Sequence, residues 1–440
     1  MVCNPLNNAS QKQKLILAAI TSFTICVLLS LYFHHHDCSY LALGVDSIES
    51  GNGVYGLNGF YYPPLFGYVL STLAFLADMF GIPILTVDPI DTAAPAILDR
   101  YLFYHPAFPL MFKTLNALAS LAIGYFIYAL VKDHTKNEDT AYKMALAWYF
   151  CPITIYMIGI QGQFDVLAIM TAIMCVIALR KKSYFIAGAL YAISVLLKMF
   201  MAPCIIALVL YIWLCERDLK VTMKYTAIAA IGALLVAAIT YAPLIMDGTW
   251  QYSLTFFSDR VTRAWYMTLA TLLGIIPMLC MMALCAIHMI KADSNDADKE
   301  LLIWVALLFG MAAAISPGYQ YGPWIAAMVI IMWSTMEDKR LYKFIFWVAS
   351  IFAVIQGITL THVFQLWAGS YYWGFPDYTQ IVELTTTLHV PMQIFALITS
   401  PVYIILLALS IIITLMDLFR GKNDKIDKMA GRIRALGGKS

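Results

Sequence analysis

The sequence predicts an all-α polytopic membrane protein with about twelve transmembrane segments. Hydrophobic residues make up 62% of the 440 residues and charged residues only 12%, a composition that a water-soluble domain cannot bury. Apolar runs of about 20 residues, the length that crosses a bilayer, recur along nearly the whole chain. The basic residues concentrate in alternate loops between these runs, which is the pattern of cytoplasmic loops.

The first apolar run, 13–33, follows Lys12 and Lys14 and lacks a small-residue cleavage site, so we interpret it as a retained span rather than a signal peptide. No soluble domain interrupts the chain, and 1–440 is interpreted as a single integral membrane domain. Further apolar segments are predicted at 107–131, 143–160, 165–180, 184–198, 200–214, 224–243, 267–290, 301–315, 321–336, 343–363 and 395–418.

The distribution of positive charge predicts the orientation. With the N-terminus in the cytoplasm, all but five of the 28 Lys and Arg residues fall in inside loops or in the tail. The sequence therefore predicts a multi-pass protein of the cell membrane with both termini cytoplasmic and a basic tail, 419–440, near anionic lipid. The five exceptions are Arg100, Lys113, Lys198, Arg260 and Arg263.

This orientation imposes two local features. The segment 63–85 must not cross, so it is predicted as a re-entrant or interfacial helix in a long extracytoplasmic loop, 34–104. The segment 184–214 must cross twice, which predicts two short helices that meet near Lys198. Backbone left unpaired inside a membrane is tolerated only where it lines protein or a water-filled cavity, so the break indicates a site on the outer face.

Asp37 follows the first span directly, where an acid is stable only if water or a partner reaches it. It is either a hydrated loop acid or a general base in an extracytoplasmic cleft. Three adjacent histidines, 34–36, precede it. Adjacent side chains cannot all aim at one ion, and no second ligand cluster has metal-site spacing, so we predict neither a metal site nor a cofactor.

The turn "GIQGQFDV" places Gln163 and Asp165 between two spans, where Asp165 either caps the next helix, lines a site, or does both. Lys198 lies in apolar surroundings, where an unpaired ammonium is expensive unless it snorkels outward. Arg260 and Arg263 are three residues apart, which places them on one face of a helix, and guanidinium groups match phosphate oxygens. Together these residues suit a lipid-phosphate substrate attacked by a hydroxyl.

The stretch "DCSYLALGVDSIESGNGVYGLNGFYYPPLFGYVLS" resembles the first outer loop of polytopic GT-C class glycosyltransferases, in which an aspartate, a Gly-x-Tyr-like turn and Tyr-Pro-Pro precede a short helix. The stretches "FKTLNALASLAIGYFIYALVK", "CPITIYMIGIQGQFDVLAIMTAIM" and "KKSYFIAGALYAISVLLKMFMAPCII" follow in the family's order, and the later "SPGYQYGPW" is similar to an outer turn of the family. The likeness covers roughly the first half of the chain and is nearest to bacterial and archaeal mannosyltransferase-like members.

The resemblance implies a glycosyltransferase that moves a hexose or pentose from a polyprenyl-phosphate carrier to a lipid or glycan hydroxyl on the extracytoplasmic face, with inversion. It implies that Asp37 is the general base, and mannose is the commonest sugar by analogy. The expected partners are this donor, the acceptor and membrane lipids, with no nucleic acid. The predicted substrate-binding residues are His36, Tyr62, Gln163, Asp165, Lys198, Arg260, Arg263, Tyr319 and Gln320.

The sequence departs from the family pattern in two places, the histidines that precede Asp37 and the stretch "TVDPIDTAAPAILDRYLF", which looks like an insertion. The identity of the acceptor therefore stays open. A secondary transporter with a polar midplane site is the alternative function. It should show related halves or paired interrupted helices, and the sequence indicates only one such break, around Lys198. A glycolipid-binding or assembly protein without catalysis is a third reading, which a location of Asp37 remote from the cavity would favour.

Overall fold

A computed structural model describes residues 10–33, 35–56, 62–84, 107–254, 265–315, 319–336 and 339–360, with scattered positions between 380 and 419. Within these ranges the regular structure is helical and contains no strand. The α-helices are α1 (Gln11–Tyr32), α2 (His36–Glu49), α3 (Pro64–Met79), α4 (Ala107–Thr135), α5 (Glu138–Tyr149), α6 (Pro152–Ile155), α7 (Asp165–Arg180), α8 (Tyr184–Leu197), α9 (Ile205–Glu216), α10 (Leu219–Met246), α11 (Trp265–Lys291), α12 (Ala297–Ile315), α13 (Gly322–Thr335) and α14 (Lys339–Leu360).

Short segments of other helical types connect several of these helices. A π-helical segment, Tyr156–Gln161, continues α6. The 3-10 segments are Val54–Gly56, Met199–Cys204, Trp250–Leu254, Ser294–Asp296 and Tyr319–Tyr321.

The chain is a polytopic α-helical membrane protein. Among the described residues, helical segments long and apolar enough to cross a bilayer are Gln11–Tyr32, Ala107–Thr135, Met199–Glu216, Leu219–Met246 and Arg340–Ile358. Another span results if α5 and Pro152–Gln161, which meet at a bend of 43°, are counted together. Helices occupy each predicted apolar segment from 13–33 to 343–363, whereas much of 395–418 lies outside the described residues. The total of twelve crossings stays a prediction.

Polar side chains define where several helices begin. Ser10 forms a capping box with Gln13, in which each side chain bonds the other residue's backbone N–H, so two otherwise unpaired donors are satisfied. Asn137 and Asp218 cap α5 and α10 by accepting a hydrogen bond from the backbone N–H three residues later. These caps fix the ends of apolar helices at the loops.

The segment 63–85, predicted not to cross, contains α3. This helix has 16 residues, fewer than the roughly 20 that a crossing needs, and Pro63 and Pro64 begin it. Tyr68 in α3 donates a hydrogen bond to the carbonyl of Thr240 in α10 at 2.9 Å. A re-entrant or interfacial position of α3 stays a prediction, and residues 85–104 of the same long loop lie outside the described residues.

The break predicted near Lys198 is present. Helix α8 ends at Leu197, and Lys198 itself is extended, with φ −156° and ψ 128°. The 3-10 segment that follows contains Pro203, whose missing N–H and fixed ring disfavour a continuous α-helix. The chain then resumes as α9, so two short helices meet at Lys198 as expected.

Helices α8 and α10 pack through two glycines. A Cβ atom on Gly188 would lie 1.8 Å from the carbonyl oxygen of Ala229, and one on Gly232 would lie 2.2 Å from the carbonyl oxygen of Phe185. Small residues of this kind allow the backbones of membrane helices to approach closely. The two contacts therefore fix α10 against α8.

Arg180, the last residue of α7, ties several helices together at one end of the bundle. Its Nη2 lies 2.8 Å from Asp133 Oδ2 in α4 and 2.6 Å from Asp298 Oδ2 in α12. Tyr211 in α9 donates to the other Asp298 oxygen at 2.8 Å. We call this end of the bundle the Arg180 end.

Replacing Arg180 by Met should destabilise the protein by about 1–3 kcal/mol. The change removes a mostly buried guanidinium from two carboxylates, and the partial exposure of both acids keeps the loss below that of a fully buried pair. Thermal unfolding of the purified protein in detergent measures the effect. Lys136→Gln is the control, because Lys136 pairs with the same Asp133 at an exposed position. Equal melting temperatures for the two variants would contradict this role.

Candidate active site

Asp37, near the start of α2, contacts the turn between the π-helical segment and α7. Gln163 Nε2 donates a hydrogen bond to Asp37 Oδ2, and Gln161 Nε2 lies 3.5 Å from the same oxygen. The Asp37 side chain is 26% exposed. The predicted base and the "GQFD" turn therefore come together although they are far apart in the sequence.

His35 supports α2 and does not act as the counter-ion of Asp37. The backbone N–H of Asp37 donates to His35 Nδ1 at 3.2 Å, and a ring nitrogen that accepts a hydrogen bond cannot also donate to a carboxylate. The 3.6 Å separation between this nitrogen and Asp37 Oδ2 is thus a consequence of capping. His34 and the side chain of His36 lie outside the described residues, so the role of His36 stays a prediction.

Lys113, in the second turn of α4, holds the turn in place. Its side chain is fully buried, and Nζ donates to the carbonyl oxygens of Phe33 at 2.7 Å, Gly159 at 3.2 Å and Ile160 at 2.6 Å. An ammonium group has three N–H donors, and each has an acceptor here. Lys113 therefore joins the end of α1 to the π-helical segment that carries Gln161.

Gly162 ends the π-helical segment in the left-handed region, with φ +75°. A Cβ atom at this position would lie 2.6 Å from Cys38 Sγ and 3.0 Å from Lys113 Cε, and the backbone conformation itself disfavours other residues. Cys38 Sγ also donates to the carbonyl of Gln161 at 3.4 Å. The turn requires glycine here because α2 and α4 both press against it.

Asp165 and Lys198 form an ion pair across α7 and the helix break. Lys198 Nζ lies 3.1 Å from Asp165 Oδ2, and Trp324 Nε1 donates to Asp165 Oδ1 at 2.7 Å. Asp165 is the first residue of α7 rather than its N-cap, which is Phe164, and an acid in this first turn favours the helix dipole. Lys198 pairs within the protein, so the alternative of a lysine that only snorkels outward does not apply.

Four aromatic rings surround the Lys198 ammonium, and we call them the aromatic cage. Nζ lies 4.8 Å from the ring centroid of Phe164, 5.1 Å from that of Tyr321, and 5.8 Å from those of Tyr62 and Phe200. These distances are within the range of cation–π attraction. The cage thus brings Tyr62, which lies just before α3, to the helix break.

The structure brings together five of the residues predicted to form the site: Asp37, Tyr62, Gln163, Asp165 and Lys198. Gln163 and Asp165 flank Phe164, so one turn contacts Asp37 on one side and Lys198 on the other.

The other predicted residues are not joined to this cluster by a described contact. Gln320 is partly exposed in a 3-10 segment, while Arg260, Arg263 and the side chain of Tyr319 lie outside the described residues. Sequence reasoning missed Lys113, Phe164, Phe200, Tyr321 and Trp324.

The two aspartates differ in what they can do. Asp165 is fully buried, and each of its oxygens already accepts a hydrogen bond, so it cannot readily take a proton from an outside hydroxyl. Asp37 is reachable from outside the protein. Lys198 is 12% exposed and makes one hydrogen bond with the described residues, which leaves N–H donors for an anionic ligand.

No protein-family model matches the chain, and no curated protein matches it. The resemblance to GT-C class glycosyltransferases accordingly stays a prediction that rests on the quoted motifs.

The Asp165–Lys198 pair should show strong coupling in a double-mutant cycle. Asp165→Asn and Lys198→Met each leave a buried partner without its counter-charge, so the double variant should be more stable than the two single effects predict, by about 1–3 kcal/mol. Unfolding in an SDS titration provides the free energies. The exposed pair Asp139 and Lys143 is the matched control, with coupling of about 0.5 kcal/mol or less.

Lys113→Met should destabilise the protein by about 2–5 kcal/mol, because it leaves three buried carbonyl groups without their donor. The same unfolding measurement applies. Lys143→Met, an exposed lysine exchanged for the same residue, controls for the change in charge. If Lys113→Met unfolds at the parental SDS fraction, the three carbonyls do not depend on this ammonium.

Proposed function

We propose that this protein is a membrane glycosyltransferase that moves a sugar from a polyprenyl-phosphate carrier to a hydroxyl group of a lipid or glycan. One observation carries the proposal. The turn that contains Gln163 and Asp165 contacts an accessible carboxylate, Asp37, through Gln163, and a cation, Lys198, through Asp165. Base and cation therefore belong to one cluster, as a displacement at a phosphate-linked sugar requires.

Asp37 is the general base in this mechanism. An acceptor hydroxyl is a poor nucleophile until a base removes its proton in the transition state, an effect typically worth about a hundred- to ten-thousand-fold in rate. The amide group of Gln163 donates to Oδ2 and fixes the orientation of the carboxylate. Its partial exposure allows a hydroxyl to come within hydrogen-bond distance.

Lys198 is the cation for the donor phosphate. As the acceptor oxygen bonds to C1 of the sugar, the bond from C1 to the phosphate oxygen breaks, the hydroxyl proton moves to Asp37 and polyprenyl phosphate leaves with inversion at C1. The leaving phosphate gains negative charge, which a positioned ammonium stabilises. The cage and Asp165 hold Lys198 in place for this task, and Arg260 and Arg263 are proposed to assist.

The cluster is proposed to face the extracytoplasmic side. Helix α7 has Asp165 at its first residue and Arg180 at its last, and 16 residues of α-helix extend about 24 Å, so the candidate site and the Arg180 end lie at opposite ends of the helix. The loops at the Arg180 end carry Lys181, Lys182 and Arg217, and basic loops are retained in the cytoplasm. Both termini are proposed to be cytoplasmic as well.

A secondary transporter is the second candidate, because the structure contains another interrupted helix besides the break at Lys198. Helix α5 and Pro152–Gln161 meet at a bend of 43°, and paired broken helices around a polar site are typical of transporters. A glycolipid-binding or assembly protein without catalysis would be favoured by an Asp37 remote from the site. The location of Asp37 beside Gln163 argues against this third reading.

Replacing Asp37 by Asn should abolish nearly all sugar transfer. Asn keeps the size and hydrogen bonding of the side chain but cannot accept the proton, so the rate should fall by about a hundred- to ten-thousand-fold while donor binding and thermal stability persist. The measurement is transfer of radiolabelled mannose, glucose, galactose or arabinose from its polyprenyl phosphate to lipid extract by purified protein.

Asp46→Asn is the matched control, since Asp46 lies in the same helix, α2, outside the cluster. It should retain most of the transfer rate. Parental activity in Asp37→Asn would remove Asp37 as the base. A parental protein that transfers none of these sugars but moves a solute into proteoliposomes would instead support the transporter.

A further inference from the structure

An apolar groove lies among α7, α8, α9 and α10, separate from the candidate active site. Its volume is about 290 Å³. Leu179 of α7 and Tyr191 of α8 contribute to it, while Ile212 of α9 and Ala233 of α10 belong to its two long walls. The cluster around Asp37 and Lys198 provides none of its lining residues.

The groove opens towards lipid. Its α9 and α10 walls run over 205–212 and 226–234, which at 1.5 Å per residue makes it about 10–12 Å long. Leu234 on its rim is 67% exposed. Helix α10 buries only 11% of its most apolar window, so this side of the bundle faces the hydrocarbon of the bilayer.

Small residues on α10 explain why the groove is not filled from within. The contacts of Gly188 and Gly232 hold α10 close to α8, and the groove wall on α10 includes only the small side chains of Ala229, Ala230 and Ala233 between Thr226 and Leu234. Protein interiors are packed without voids of this size. An apolar chain from outside the protein is therefore the natural filling.

The Arg180 end of the groove is rich in positive charge. A short loop joins α7 to α8 at this end, and another joins α9 to α10. Lys182 in the first loop lies 3.1 Å from Glu216, the last residue of α9. The basic residues of these loops and of the first turns of α10 are Lys181, Lys182, Arg217, Lys220 and Lys224, against the acids Glu216 and Asp218.

Part of this charge has no counter-ion in the described protein. Asp218 caps α10 through the backbone N–H of Val221. Lys181, Lys220 and Lys224 are exposed and make no ion pair with any residue that the structure describes. Lysines at this level of a membrane protein attract anionic lipid headgroups.

We propose that the groove binds one acyl chain of an anionic phospholipid and that Lys220 and Lys224 hold its phosphate headgroup. Lys220 and Lys224 lie six and two residues before Thr226, the first residue of α10 that lines the groove, so a headgroup at this end of the groove lies within reach of their long side chains. A zwitterionic lipid would fill the groove equally well but would leave the excess positive charge unpaired. This lipid site is independent of the proposed transferase activity.

Native mass spectrometry of the purified full chain, titrated with phosphatidylglycerol or with phosphatidylcholine of the same acyl chains, tests the proposal. The parental protein should retain one phosphatidylglycerol with at least fivefold tighter binding than phosphatidylcholine. Ala233→Phe, which fills the groove, should abolish this retention, and so should the milder Ala230→Leu at an exposed position. Ala238→Phe, an exposed site on α10 outside the groove, should leave it unchanged.

The headgroup contacts are tested separately. Lys220→Gln with Lys224→Gln should reduce phosphatidylglycerol binding to the level of phosphatidylcholine without changing the latter, whereas Lys136→Gln with Lys143→Gln should have no such effect. Equal binding of both lipids by the parental protein, or parental retention by both groove-filling variants, would overturn the proposal. So would a dimer mass that Ala233→Phe abolishes, because a second copy of the chain would then occupy the groove.

Discussion

The candidate site depends on the buried ammonium of Lys113. A charged lysine in apolar surroundings is costly unless its N–H groups find acceptors, and the last carbonyl groups of helices lack partners within the helix. Lys113 satisfies both needs at once, because its three acceptors lie at the end of α1 and in the final turn of the π-helical segment. Two helix ends are thereby fixed to α4, and the positions of Gln161 and Gln163 follow.

The two carboxylates next to this turn, Asp37 and Asp165, have different surroundings. Asp37 faces outward with amide groups on one oxygen, whereas Asp165 faces inward with an indole on one oxygen and an ammonium on the other. Only Phe164 separates Gln163 from Asp165, so one turn orients both acids. The accessible acid, Asp37, and the buried acid, Asp165, are thus kept apart because they lie on different sides of the turn.

Hydropathy and charge position predict much of the fold, because each depends on local sequence: the helical segments, the break at Lys198 and the helix within 63–85 all follow from them. The contacts between side chains that are distant in sequence cannot be predicted in this way. Lys198 and Asp165 are 33 residues apart, and Lys113 reaches carbonyls 46, 47 and 80 residues away, so only tertiary packing selects these partners. Likewise, "GYQYGPW" contains two tyrosines, and only the 3-10 segment brings Tyr321 to Lys198. Lys113 could have been found as a lysine inside an apolar run.

The mutual neutralisation of Asp165 and Lys198 has an electrical consequence. Moving one elementary charge through a membrane potential of 100 mV involves about 2.3 kcal/mol, but a bound pair of opposite charges that moves as a unit carries no net charge through the field. Any shift of α8 relative to the bilayer that keeps the 3.1 Å contact is therefore nearly insensitive to membrane voltage. The helix break therefore contains a polar pair that carries no net charge.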